Sequence, residues 1–193
     1  VLKSYSIPTV LQVTLGQMNF KDIDTIVDFC LSYPHLYGVI YLAYKPVGRG
    51  KNFCGTLSSL DSLFVSKGLE AAFRRLSSKI RVGYDCCLAP AIAGHGDAGF
   101  VNKEKLEGCS ALRTSVGISP ELNVLPCTFL DDYVIGNLKR DSLMSIWNNK
   151  RAGDFRDSLH RNSMKKQVCR VCGLRTSCLG GCPVMDLVDC CHP

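Results

Sequence analysis

Cys169-Arg170-Val171-Cys172 is followed by Cys178, by Cys182 in Leu179-Gly180-Gly181-Cys182, and by the pair Cys190-Cys191. Upstream stand Cys109 and Cys127, so eight of the twelve cysteines fall between residues 109 and 193. Thiolate is the soft ligand that iron–sulfur clusters and zinc select. The CxxC turn at Cys169 and Cys172 brings two sulfurs to one metal or one cluster. Gly180 and Gly181 let the backbone close around it, because glycine takes a positive φ at little steric cost. Cys169, Cys172, Cys178 and Cys182 could make one site, but the cysteines on either side of that run suggest two.

The elements that must position these sulfurs divide into two kinds. In the first half, Leu11, Val13 and Leu15 mark a strand, and Asn19 with Asp22 suits a variant capping box for the helix that follows. Ile23, Ile26, Val27 and Cys30 fall on one face of that helix. The apolar run Val39 to Tyr44 reads as a strand buried on both faces, as parallel strands are. Lys45-Pro46-Val47-Gly48-Arg49-Gly50 ends it in a loop. Ser58 and Asp61 cap a second helix whose expected buried face is Leu60, Leu63, Phe64, Ala72, Phe73 and Leu76. Ile80 to Tyr84 is a third strand, giving βαβαβ and a parallel sheet. Three strands with no helix before the first read as the back half of a larger α/β unit.

Past about residue 100 the elements shorten and loops dominate. Val116 to Ile118 and Asn123 to Leu125 form a hairpin through Ser119-Pro120-Glu121-Leu122. Asp141 caps a helix with Leu143, Ile146 and Trp147 inward. A boundary is expected near Phe100 to Gly108, and bound metal is a normal support for so small a core.

Composition narrows the partners. The chain has 193 residues, 46% hydrophobic and 21% charged, with a net charge of +6. That length can bury a real core. The basic residues are scattered apart from a short cluster, Arg161 to Lys166, so no nucleic-acid footprint is expected. No apolar run reaches the roughly 20 residues that span a bilayer, and the N-terminus shows no signal peptide. The expected location is cytoplasmic, where thiols stay reduced and a disulfide scaffold is disfavoured.

The stretch from Cys109 to Cys191 resembles a SPASM domain, the auxiliary iron–sulfur module of many radical S-adenosylmethionine (SAM) enzymes. The resemblance rests on Cys169, Cys172, Cys178 and Cys182 at full spacing and on Pro126-Cys127 and Gly180-Gly181-Cys182. It rests also on the linker Gly136-Asn137-Leu138 with Ser142-Leu143-Met144-Ser145-Ile146-Trp147-Asn148. The first half resembles the later strands of the radical SAM partial barrel. The implied fold is α/β: a partial parallel (β/α) barrel segment over 1–104, then a small, loop-rich, cysteine-ligated iron–sulfur domain over 105–193.

The resemblance implies two auxiliary [4Fe–4S] clusters. Cys109, Cys127 and Cys182 would hold the first, with its fourth site open or otherwise filled. Cys169, Cys172, Cys178 and one of Cys190 or Cys191 would hold the second. It further implies a peptide or protein substrate, a low-potential electron donor, and the auxiliary clusters as electron carriers or substrate ligands. The loop Lys45, Gly48, Arg49 and Gly50 would face SAM or substrate.

Three departures qualify this. Leu122 and Leu112 stand where the family usually has glycine, so the hairpin turn is expected to differ. The sequence also has no CxxxCxxC, the motif that holds the SAM-cleaving cluster, and Cys86-Cys87 cannot replace it. The alternative is a stand-alone, non-catalytic iron–sulfur module for electron transfer or peptide binding. A zinc-stabilised domain is weaker, because zinc knuckles pair two CxxC units and one is present. Cys30, Cys54, Cys86 and Cys87 read as packing thiols, His95 as a loop residue, His192 as part of a C-terminal tail, and Trp147 as a core anchor.

Overall fold

The computed structural model describes residues 7–53, 55–57, 59–95, 106–164 and 167–185. Cys54, Ser58, Cys190, Cys191 and His192 lie outside the described residues, as do residues 96–105, which include most of the expected boundary at Phe100 to Gly108, and the side chains of Leu60, Leu63 and His95.

Strands β1 (Thr9–Leu15), β2 (Leu36–Ala43) and β3 (Arg81–Tyr84) pair in parallel in that order. Helices α1 (Ile23–Ser32) and α2 (Ser59–Leu76) make the crossovers. Strand alternation puts Leu11, Val13, Leu15, Val39, Tyr41, Ala43, Val82 and Tyr84 in matching register on one face. All eight belong to the first core or pack against it. On β1 the opposite face shows Val10, Gln12 and Thr14 exposed. The sheet is therefore covered on one face along β1 and open on the other.

The helices meet that core with a helical period. From α1 come Ile23, Val27 and Cys30, as the sequence implies, with Ile26 partly buried. From α2 come Val65, Leu69, Ala72 and Leu76. Phe64 is not among them: it is 50% exposed and meets Phe20 edge-on, with ring centroids 5.5 Å apart. Asn19 does not cap α1 either. Its side chain accepts from Gly16 N–H and donates to the Thr14 carbonyl, both at 3.0 Å, which fixes the turn that leaves β1. Asp22 is the N-cap residue and makes no side-chain capping bond.

A short helix, α3 (Ala89–His95), follows β3. The second unit is an antiparallel sheet of β4 (Gly117–Ile118), β5 (Asn123–Leu125) and β6 (Gly136–Asn137). The expected hairpin is present, and β6 is an additional strand from the segment read as a linker. Leu112 and Leu122 both take left-handed backbone, at φ 53° and 65°. Each holds the conformation in which glycine is most at ease.

Helix α4 (Leu143–Trp147) is capped by Ser142 rather than Asp141, the Ser142 side chain accepting from Ser145 N–H at 3.2 Å. Ile146 is buried, Trp147 packs on the second core, and Leu143 is exposed. Helix α5 (Lys150–Asn162) is longer than the loop-rich expectation allowed. Asn149 caps it, and Ala152, Phe155 and Leu159 complete the second core. Two short helices, α6 (Gln167–Val171) and α7 (Arg175–Cys178), carry the cysteine run. No described helix is long and apolar enough to cross a membrane.

Candidate metal centre

The chain after α7 decides where the sulfurs go. Leu179, Gly180 and Gly181 are all left-handed, at φ 57°, 73° and 88°. Three such residues in succession turn the chain sharply out of the second unit. Leu179 is buried in the second core, whereas Cys182, Val184 and Met185 pack into the first. Cys182 is thereby separated from its sequence neighbours and placed beside Cys87, with which it shares a hydrogen bond.

Two groups of sulfurs result. Cys169, Cys172 and Cys178 stand together, within electrostatic reach of one another around α6 and α7. Cys109 stands within reach of Cys127 and Cys182, and also of Cys86. Among the described residues, no three His, Cys, Asp or Glu side chains converge closely enough to hold a single metal ion.

Backbone N–H groups point at several of these sulfurs. Gly180 and Gly181 direct theirs at Cys178, Val184 at Cys182, and Ala111 at Cys109. Successive N–H groups in a turned backbone make a nest that suits anions and is common at iron–sulfur sites. Gly108 brings the two groups together: its N–H donates to the Ser177 carbonyl at 2.7 Å. A Cβ at Gly108 would drive into the Cys178 carbonyl oxygen, so only glycine permits this approach. Soft thiol donors, N–H groups aimed at sulfur and close backbone packing fit an iron–sulfur cluster.

The electrostatics separate the thiols. Burial pushes the Cys109 thiol up to about 11 and also raises Cys178. Cys86 is held down at about 6, chiefly by its hydrogen bond with Cys87. Cys182 is lowered for the same reason, while Cys87 is raised by its bonds to both sulfurs and by burial.

A buried ion pair underlies this group. Asp85 follows β3 and Lys45 follows β2, and their side chains meet at 2.7 Å. Asp85 also accepts from the backbone N–H of Ala43, Cys87 and Leu88, fixing the turn that presents Cys86 and Cys87. Burial alone would lower the Lys45 ammonium. Its bond to Asp85 and the nearby Cys87, Asp85 and Cys182 charges raise it instead. Lys45 also lies 4.7 Å from the Phe129 ring centroid, which ties it to the second unit.

The rest of the Lys45 loop lies elsewhere. Gly48 and Arg49 are exposed, and Gly50 is held by the Tyr44 hydroxyl. Asp85, Cys86 and Cys87 stand beside Cys182 and Cys109, a juxtaposition that sequence reasoning, reading the pair as packing thiols, did not foresee. The available signal was a vicinal thiol pair at the carboxyl end of a parallel strand, where ligand sites of α/β proteins collect.

No curated protein and no solved structure matches the chain. Residues 109–173 match the family model of SPASM, an iron–sulfur cluster-binding domain. That span contains Cys109, Cys127, Cys169 and Cys172, and it ends before Cys178 and Cys182. Over residues 109–173, therefore, this chain is similar to the SPASM iron–sulfur cluster-binding domain.

Proposed function

We propose that the chain is the carboxyl-terminal portion of a SPASM-type radical SAM enzyme, with two auxiliary [4Fe–4S] clusters, acting in the modification of a peptide or protein. The observation that carries this reading is the sorting of sulfurs into two groups beside a three-stranded parallel sheet. The open face of β1 supports a partial barrel, since a barrel strand turns one side to the lumen. Residues 1–104 then form the barrel part and residues 105–193 the cluster domain.

In this reading Cys109, Cys127 and Cys182 hold the first cluster. Cys169, Cys172 and Cys178, with Cys190 or Cys191, hold the second. When bound, such clusters accept and pass single electrons at potentials set by hydrogen bonds to sulfur, net charge and exposure. The chain supplies these controls through the N–H groups on Cys109, Cys178 and Cys182. The Lys45 ammonium adds positive charge beside the first group. Gly48, Arg49 and Gly50, past the carboxyl end of β2, would be the residues to contact SAM or substrate. The SAM-cleaving step falls to residues outside this sequence, which has no CxxxCxxC. The partners are a peptide or protein substrate and a low-potential electron donor, with no role for nucleic acid or membrane.

Iron and acid-labile sulfide analysis of anaerobically reconstituted protein tests this. About eight iron and eight sulfide per chain, as two four-iron clusters hold, is the expected result. Zinc without sulfide would replace it with a structural metal domain.

A further inference from the structure

We propose that Cys86 supplies the fourth thiolate of the Cys109, Cys127 and Cys182 group, leaving that cluster with no open iron for substrate. The inference rests on the two-cluster reading and adds a ligand from the first unit, 23 positions ahead of Cys109 in the sequence.

Cys86 meets this group from two sides. The backbone N–H of Ser110, the residue after Cys109, donates to the Cys86 sulfur. On the other side Cys86 is hydrogen-bonded to Cys87, and Cys87 in turn to Cys182. The connected set therefore runs Cys109, Ser110, Cys86, Cys87, Cys182. Cys86, Cys127 and Cys182 are all half-buried, whereas Cys87 is sealed in the first core at 2% exposure. Exposure alone does not separate ligand from support, since Cys109 is itself only 5% exposed. The contacts assign the roles: Cys86 takes the Ser110 N–H beside Cys109, and Cys87 is a positioning residue bonded to both the Cys86 and Cys182 sulfurs.

The turn that presents the pair is built rather than incidental. Asp85 accepts from Cys87 N–H and Leu88 N–H, both at 3.1 Å, with one carboxylate oxygen. Its other oxygen takes the Lys45 ammonium. A thiol kept only for packing has no need of an ion-paired carboxylate to set its backbone. On binding iron the Cys86 thiol gives its proton to solvent, as every ligating cysteine must, and its partial exposure leaves a route.

Full thiolate ligation changes what this cluster can do. An iron already holding four sulfurs cannot take a substrate atom, so of the two family roles the first cluster keeps electron transfer.

The test compares the reconstituted full chain with its Cys86→Ala and Cys87→Ala variants. Iron and sulfide content, EPR spectra and reduction potentials are measured on each. Cys86→Ala is expected to lose between one and four of about eight irons while the second cluster keeps its EPR signal, which also reports that the chain is folded. Cys87→Ala is expected to keep its iron and shift the potential of the first cluster. Iron content and spectra unchanged in Cys86→Ala would overturn the assignment, as would iron loss in Cys87→Ala alone. Cyanide added to the unsubstituted protein is an independent check, because a four-thiolate cluster should not respond. A cyanide-induced change in the first cluster's EPR spectrum would overturn the proposal even if the variants did not fold. Absence of iron and sulfide from the unsubstituted protein would overturn the two-cluster reading and this inference together.

Discussion

Lys45 Nζ and Asp85 Oδ2 stand 2.7 Å apart with side chains only 8% and 14% exposed, locking the carboxyl end of β2 to that of β3. An ion pair removed from water is costly to break from one side, since the remaining charge stays buried without a partner. Asp85→Asn keeps an oxygen to cap the Cys87 turn but takes away the countercharge. The expected loss is about 3 kcal/mol in urea denaturation. Adding Lys45→Met should restore a good part of it. A double variant as unstable as the single one would show that the lost acceptor for Ala43 N–H, not the charge, carries the effect.

Leu112 and Leu122 share a left-handed backbone and differ in burial, at 0% and 39% exposed. A non-glycine residue in this region costs roughly 1 kcal/mol. Leu122→Gly should therefore gain up to about 1 kcal/mol, because little packing is lost. Leu112→Gly relieves the same strain but removes a side chain from the second core, at about 3 kcal/mol. Opposite signs in thermal denaturation are the expected result.

Gly180→Ala is expected to weaken the second sulfur group. Its φ of 73° disfavours any side chain, and a Cβ there would meet Ser163 Cα at 3.0 Å. The shift would pull the Gly180 and Gly181 N–H groups off Cys178. Faster iron loss to a chelator, with the first cluster's EPR signal kept, is the measurement that checks this.

The Tyr41 hydroxyl is buried with no hydrogen-bond partner, and its ring stacks on Tyr84 at 6.1 Å between centroids. Burial, with a contribution from Cys30, pushes this phenol's pKa up, so it stays neutral across the working range. Tyr41→Phe removes the unsatisfied group and keeps the ring. The expected gain is about 1 kcal/mol, read from the urea midpoint.

Local patterns in the sequence carried the parallel sheet, the α1 face and the β4–β5 hairpin, because each depends on a period of 2 or 3.6 over adjacent residues. The α2 face was misjudged at Phe64 because that helix is apolar on more than one side. Which side turns inward was settled by the sheet, and Phe20 was waiting to cover the ring at the surface. At α4 the choice between Asp141 and Ser142 shifted by one position, a difference that only the extended backbone of Ser142 decides. What the sequence did not reveal was the position of Cys86 and Cys87 beside Cys182. Their neighbour Cys182 is some 95 residues away in sequence, and nothing local to either segment records the return of Cys182 to Met185 to the first core.

That return puts a covalent limit on separation. Cys178 belongs to one sulfur group and Cys182 to the other, and four peptide links join them. Even pulled straight, four links reach only about 14 Å, and the left-handed turn at Leu179 to Gly181 keeps them well short of that. Any hinge motion between the units must leave the two sulfur groups close to each other. On the two-cluster reading proposed above, the chain itself sets an upper limit to the electron path between them.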